Sequence, residues 1–141
     1  MRHVFALALV VACSHPQLDD HSAILPFSEL PKYLRADKVA YAPSAEDIRR
    51  FRGALPAAVP PAIATRMPSY YGQFIGYVDA KGQRWIHGNF LCEVHELEKY
   101  TKRDVWRLGY IATNDGGDCF FHVDWSPDTN ATRELRVNGD A

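Results

Sequence analysis

The chain has 141 residues, 47% of them hydrophobic and 12% aromatic, which is enough to form the core of one globular domain. Its 16 basic and 17 acidic residues are interspersed and leave a formal net charge of −1. The sequence therefore lacks a basic stripe that would follow a phosphate backbone, and nucleic acid is not an expected partner.

The first residues predict export and lipidation. A short basic head at 2–3 precedes an apolar run at 4–11, which is too short to span a bilayer, since a spanning helix needs about twenty residues. We therefore expect 1–12 to be a signal peptide that is removed. The end of this segment resembles the lipobox of bacterial lipoproteins, in which the peptidase cuts before an acylated cysteine, in the residues Val10, Val11, Ala12 and Cys13.

This resemblance implies palmitate and related acyl chains on Cys13, and two such chains suffice for stable membrane anchoring. Ser14 stands where an aspartate would favour inner-membrane retention in enterobacterial lipoproteins, so we expect the periplasmic face of the outer membrane. The alternatives are an ordinary secretory signal and a buried first strand with an incidental cysteine.

Residues 13–43 are expected to form a lipidated tether, because prolines interrupt every potential element. The apolar stretch AILPF at 23–27 could instead dock on the domain, which we place at 44–141. Its first element is a helix over 44–55. Ser44 can cap this helix, Asp47 completes a capping box, and the apolar residues on one face are Ile48, Phe51 and Leu55.

Alternating hydrophobicity predicts a β-hairpin and three further strands. A β-hairpin is expected over 70–92, with its turn at 79–82, followed by strands at 105–113, 119–125 and 133–139. The fold class is thus α+β, an antiparallel sheet of about five strands with a helix packed on one face. On the last two strands we expect Asp124 and Arg136 to point outward and the core to contain Phe121, Val123, Trp125, Leu135 and Val137.

Cys92 and Cys119 form an even pair in an exported chain, and a disulfide between them is the expected state. If the strand at 105–113 lay between them, the link at 93–104 would have to be a helical crossover for the cysteines to meet. Two alternatives use the repeated C-x-x-H spacing: a metal site with His95 and His122, or a Cys119 nucleophile with His122 as its base. No metal or other cofactor is expected.

The region rich in aromatic residues also resembles small envelope lipoproteins of Gram-negative bacteria in the stretches YYGQ, IHGNFLC, GGDCFFHVDW and LRVNG, a resemblance that implies no particular activity. Recognisable catalytic motifs such as G-x-S-x-G and H-E-x-x-H are absent from the sequence. The outward face of the sheet offers a candidate binding surface formed by Tyr71, His87, Phe120, His122 and Asp124.

These features suggest a non-enzymatic, lipid-anchored binding module of the envelope, of inhibitor or immunity type or accessory to an envelope complex. Its partners would be the membrane, through Cys13, and an envelope protein. The alternative is an envelope enzyme that uses His87, His122 and Asp124, provided that these side chains converge in one pocket.

Overall fold

The computed structural model describes residues 17–94 and 104–139, and within these ranges the chain has an α+β fold. A mixed sheet, mostly antiparallel, is accompanied by short helices. The helices are α1 (Lys32–Arg35), α2 (Ala45–Ala54) and α3 (Pro61–Ala64). The strands are β1 (Ser22–Ile24), β2 (Val39–Ala40), β3 (Tyr71–Val78), β4 (Arg84–Leu91), β5 (Phe120–Trp125) and β6 (Thr132–Val137).

The strand order is β1-β3-β4-β5-β6, and β2 also pairs with β3. β1 runs parallel to the start of β3, whereas the other neighbouring strands are antiparallel. Since β4 occupies one edge of β3 along its whole length, the two short strands β1 and β2 share the other edge. The predicted fold class is therefore confirmed, with six described strands instead of about five.

The predicted hairpin is the β3–β4 pair. The Oδ1 atom of Asp79 accepts hydrogen bonds from the backbone N–H groups of Lys81 and Gln83, both at 3.0 Å. Gly82 has a φ of 78°, the left-handed conformation that glycine adopts without a steric penalty. The chemistry of this turn fixes the register of the two longest strands.

Helix α2 confirms the predicted helix and its cap. The Ser44 side chain accepts from the N–H of Asp47, and the Asp47 carboxylate accepts from the N–H of Ser44. On the sheet beneath, Gly88 allows close approach, because a Cβ atom there would lie 2.9 Å from the Phe51 ring. The core on this face of the sheet includes Ile48, Phe51, Leu55, Phe74, Ile86, Phe90, Phe121, Val123 and Trp125.

The opposite face of the sheet is also covered, in part by the segment that we predicted to be a tether. That prediction is wrong for residues 22–43. β1 pairs with β3, the side chains of Leu25 and Leu30 are buried, and Leu34 packs against the same cluster as Ile75. The prolines in this segment precede short helical turns and do not prevent the apolar residues from docking.

The predicted strand at 105–113 is not a strand. A 3₁₀ turn covers Val105–Arg107, and the chain then crosses the sheet with its backbone bound by buried side chains. Gln73 Nε2 donates to the carbonyl oxygens of Trp106 (2.6 Å) and Gly109 (2.7 Å), and its Oε1 accepts from the N–H of Ile111 at 3.0 Å. Because the Gln73 side-chain amide satisfies these backbone hydrogen-bonding groups, the segment does not need a neighbouring strand to pair with them.

The disulfide between Cys92 and Cys119 is confirmed, with a Cα–Cα distance of 4.8 Å. β4 and β5 are direct neighbours, so the cysteines at their adjoining ends face each other, and the N–H of Cys92 donates to the carbonyl of Cys119 at 2.8 Å. The crossover helix that we predicted at 93–104 falls mainly on 95–103, outside the described residues.

The inward and outward faces of β5 are as predicted, but β6 and Asp124 require corrections. Phe121, Val123 and Trp125 lie in the core beneath α2. Leu135 and Val137 were predicted to be buried and are 37% and 39% exposed, because β6 is an edge strand with a shift in its register. Asp124 faces away from α2 as expected, yet it is buried, because the sheet is covered on that side as well.

Candidate functional site

The candidate site is an open cleft on the face of the sheet opposite α2. It lies between α1 and the paired strands β5 and β6 and has a volume of about 380 Å³. Polar and charged side chains dominate its walls. The lining residues are Tyr33, Leu34, Lys38, Tyr77, His87, His122, Asp124, Arg133, Glu134 and Arg136.

His87 forms the floor of the cleft and has a partner on each ring nitrogen. Its side chain is 3% exposed. Nδ1 lies 2.8 Å from Asp124 Oδ1, and Nε2 lies 3.0 Å from the hydroxyl of Tyr110. Since a carboxylate can only accept, Nδ1 donates to Asp124, and in the neutral ring Nε2 accepts from Tyr110. The imidazole is thus held in one tautomer and orientation.

Asp124 is the acidic centre of this network. Its second oxygen, Oδ2, accepts a hydrogen bond from the Tyr77 hydroxyl, and Arg133 Nε lies 3.9 Å from the same oxygen. Burial alone would raise the pKa of Asp124, but the hydrogen bonds from His87 and Tyr77 and the charge of Arg133 hold it below its usual value. Asp124 is therefore an ionised carboxylate with its partners in place.

Arg133 joins the network to the hairpin turn. Its Nη2 donates to the Tyr77 hydroxyl at 3.0 Å, and its Nη1 lies 3.5 Å from Asp79 Oδ2. The guanidinium carbon lies 3.6 Å from the centre of the Trp85 ring, within the range of a cation–π contact. Its buried Nε has no hydrogen-bond partner among the described residues.

A β-bulge places two arginines on the cleft side of β6. Asp124 pairs with Arg133 and His122 pairs with Arg136, so the register shifts by one residue between these pairs. Glu134, within the shifted stretch, has a φ of 56°, which is costly for a residue with a Cβ atom. On a regular strand, residues three apart point to opposite faces. The bulge brings Arg133 and Arg136 to the same face.

His122 is the second histidine of the cleft. Its ring centre lies 5.4 Å from that of His87, and it forms no hydrogen bond with any described residue. Burial lowers the pKa of His122 below its usual value, and the neighbouring His87 lowers it further. At neutral pH its imidazole is therefore uncharged and can donate one hydrogen bond and accept another.

The structure divides the predicted binding surface into two groups. His87, His122 and Asp124 line the cleft together, whereas Tyr71 and Phe120 pack near Trp106 at the other end of the same face. Four further residues belong to the site and were not predicted from the sequence: Lys38, Tyr77, Tyr110 and Arg133. Their position depends on the bulge and on the covering segments, which the alternating pattern of the sequence does not reveal.

The two cysteine alternatives fare differently. Cys119 is bonded to Cys92, so the predicted alternative of a Cys119 nucleophile is wrong for this structure. His95 lies outside the described residues, and within 17–94 and 104–139 no cluster of three or more His, Cys, Asp or Glu side chains could hold a metal ion.

No helix within the described ranges is both long enough and apolar enough to cross a membrane. Comparisons of the chain with known protein families, with curated proteins and with solved structures found no significant match.

Proposed function

We propose that the protein is a lipid-anchored binding module of the bacterial envelope, of inhibitor or immunity type or accessory to an envelope complex, and that its ligand occupies the cleft. The observation that carries this proposal is that the buried side chains on the floor of the cleft, His87, Asp124 and Tyr77, already have partners within the protein. Tyr33 and Arg136, by contrast, remain exposed at the rim. Such a rigid, largely preformed concave site favours binding.

The pairing of these groups argues against an acid–base role for His87. A general base needs a free ring nitrogen within reach of its substrate, and both nitrogens of His87 are engaged by Asp124 and Tyr110. Among the described residues that line the cleft there is no serine, threonine or cysteine, so this lining offers no serine- or cysteine-type nucleophile beside a histidine.

A second candidate function is an envelope enzyme, and the convergence of His87, His122 and Asp124 in one cleft favours it. In this alternative His122 would act as a general base, because its imidazole is uncharged at neutral pH and has no partner among the described residues. Purified protein would be incubated with isolated peptidoglycan and analysed by mass spectrometry. Products that the wild type forms and the His122→Gln variant does not would favour this alternative over the binding module.

The envelope address rests on Cys13 and is tested by acylation. We expect the wild-type chain to incorporate radioactive palmitate and to sediment with outer-membrane vesicles. The Cys13→Ser variant should take up no label. The variant should accumulate as a precursor or leave the membrane fraction. Continued labelling of Cys13→Ser, or an unlabelled wild type, would contradict the lipoprotein proposal.

The role of the cleft is tested in intact cells with a photo-crosslinking amino acid at Tyr33, which is 77% exposed at the rim. The matched control carries the same amino acid at Ala62, an exposed residue of α3. This helix packs on the same side of the sheet as α2, away from the cleft. We expect a discrete crosslinked product from position 33 that is absent from position 62. No product from position 33, or identical products from both positions, would contradict binding at the cleft.

A further inference from the structure

We propose that the cleft binds a small ligand carrying an oxyanion, a carboxylate or a phosphate, joined to an apolar group. The inference rests on the proposed function as a binding module and specifies its ligand class. Three features carry it: the balance of charge in the cleft, the position of Arg136 beside His122, and the apolar residues of α1 at the rim.

The charge of the cleft favours an anion. The charge of Asp124 is offset within the protein by Arg133, whose Nε lies 3.9 Å from Oδ2, and its Oδ1 is occupied by the hydrogen bond from His87. The remaining charged residues of the lining are two cations, Lys38 and Arg136, and one acid, Glu134. The open part of the cleft therefore carries a net positive charge, before any protonation of His122 is counted.

Arg136 and His122 together present donors at one place. They are direct partners across the β5–β6 ladder and both line the cleft. Arg136 is exposed and forms no ion pair or hydrogen bond with a described residue, in contrast to Arg133, which is held by Asp79 and Tyr77. A guanidinium offers paired N–H donors that match the two oxygens of a carboxylate or phosphate, and the His122 ring can add a third donor.

The opposite rim supplies apolar surface. Tyr33 and Leu34 belong to α1 and line the same cleft, and most of the Tyr33 ring is accessible. Lys38 lies 5.1 Å from the centre of the Tyr77 ring, and its Nζ donates to the carbonyl of Leu34, which fixes α1 above the sheet. A volume of about 380 Å³ suits a small molecule or one terminal group of a larger one.

The test uses the full chain and four defined probes: benzoate, phenyl phosphate, acetate and benzyl alcohol. Binding is followed by NMR through the ring protons of His122. We expect saturable shifts with benzoate or phenyl phosphate, and the stronger of the two identifies the oxyanion. Acetate, which lacks the ring, and benzyl alcohol, which lacks the charge, should each bind about tenfold more weakly, as expected for the loss of about 1.4 kcal/mol.

Two arginine variants complete the test. Arg136→Ala should weaken the better anionic probe about tenfold, which is the effect of losing one charge-assisted contact. Arg49→Ala is the matched control: it removes the same charge from an exposed site on α2, on the other side of the sheet, and should leave affinity unchanged. Equal weakening by both variants, no effect of Arg136→Ala, or equal binding of benzyl alcohol and benzoate would overturn the proposal.

Failure of this inference can be distinguished from failure of the proposed function. If crosslinking from position 33 succeeds but the anionic probes do not bind, the binding module stands and the oxyanion class is wrong. If the probes bind as expected but position 33 crosslinks nothing in cells, the cleft is an anion site and the proposed envelope partner is wrong.

Discussion

At the scale of single residues, the cleft contains two histidines with opposite surroundings. His87 is buried and bound at both nitrogens, whereas His122 is half-buried and forms no hydrogen bond with a described residue. We expect His87→Ala to lower the free energy of unfolding by about 3 kcal/mol, because it leaves Oδ1 of Asp124 and the hydroxyl of Tyr110 without their hydrogen-bond partner. His122→Ala should cost less than about 1 kcal/mol. Urea denaturation of both variants would show this order, and equal losses would contradict it.

Asp124 should make stability depend on pH in the acid range. Its pKa is lower in the folded protein than in the unfolded chain, so the ionised carboxylate stabilises the fold at neutral pH, and this contribution is lost as the pH falls below about 4. Asp124→Asn does not titrate. We expect the difference in unfolding free energy between wild type and variant to be largest at pH 7 and to shrink at pH 3. A difference that stays constant with pH would rule out this role.

The residues of the site were predictable only in part. The alternation along β5 correctly placed His122 and Asp124 on one face and the core residues on the other. The pairing of Arg133 with Asp124 was not predictable, because it depends on one extra residue in β6 and a positive φ at Glu134, a residue type that does not signal such a backbone.

At the scale of elements, the segment 104–111 is held on the sheet by two side-chain amides. Gln73 and Asn89 are cross-strand partners in β3 and β4, and both bind its backbone. We expect Gln73→Met, which keeps the size of the side chain, to speed hydrogen exchange at the Ile111 amide about tenfold. Gln83→Met, in the exposed hairpin turn, is the control and should leave that exchange unchanged. An unchanged rate in Gln73→Met would contradict this role.

The elements defined by local signals were predicted well, and those defined by distant contacts were not. The Ser44–Asp47 capping box and the Asp79–Gly82 turn are local, and both the helix and the hairpin agree with the structure. The segment 105–113 has the alternation of a strand, but Gln73 and Asn89, more than twenty residues upstream of Ile111, provide its hydrogen bonds. A pattern within the segment cannot show such partners.

At the scale of the whole molecule, the disulfide joins the ends of β4 and β5 and closes the long excursion between them. The cysteines are 27 residues apart. A cross-link that closes a loop of this length lowers the entropy of the unfolded chain and so stabilises the folded protein by about 3.5 kcal/mol. The Cys92→Ala, Cys119→Ala double variant should therefore melt about 10 °C lower than the wild type. Calorimetry would measure this, and an unchanged melting temperature would show that the bridge contributes little.

The pairing of β1 with β3 also limits the distance between the domain and the membrane. If Cys13 is acylated as we propose, only eight residues lie between the membrane anchor and Ser22, which is already part of the sheet. Even fully extended, the nine residue-to-residue steps from Cys13 to Ser22 span about 30 Å. The sheet would then sit close to the lipid surface, and a ligand fixed deeper in the periplasm would lie beyond its reach. The cleft would sample a thin layer next to the bilayer, where tethering raises the effective concentration of membrane-bound partners over that of free ones.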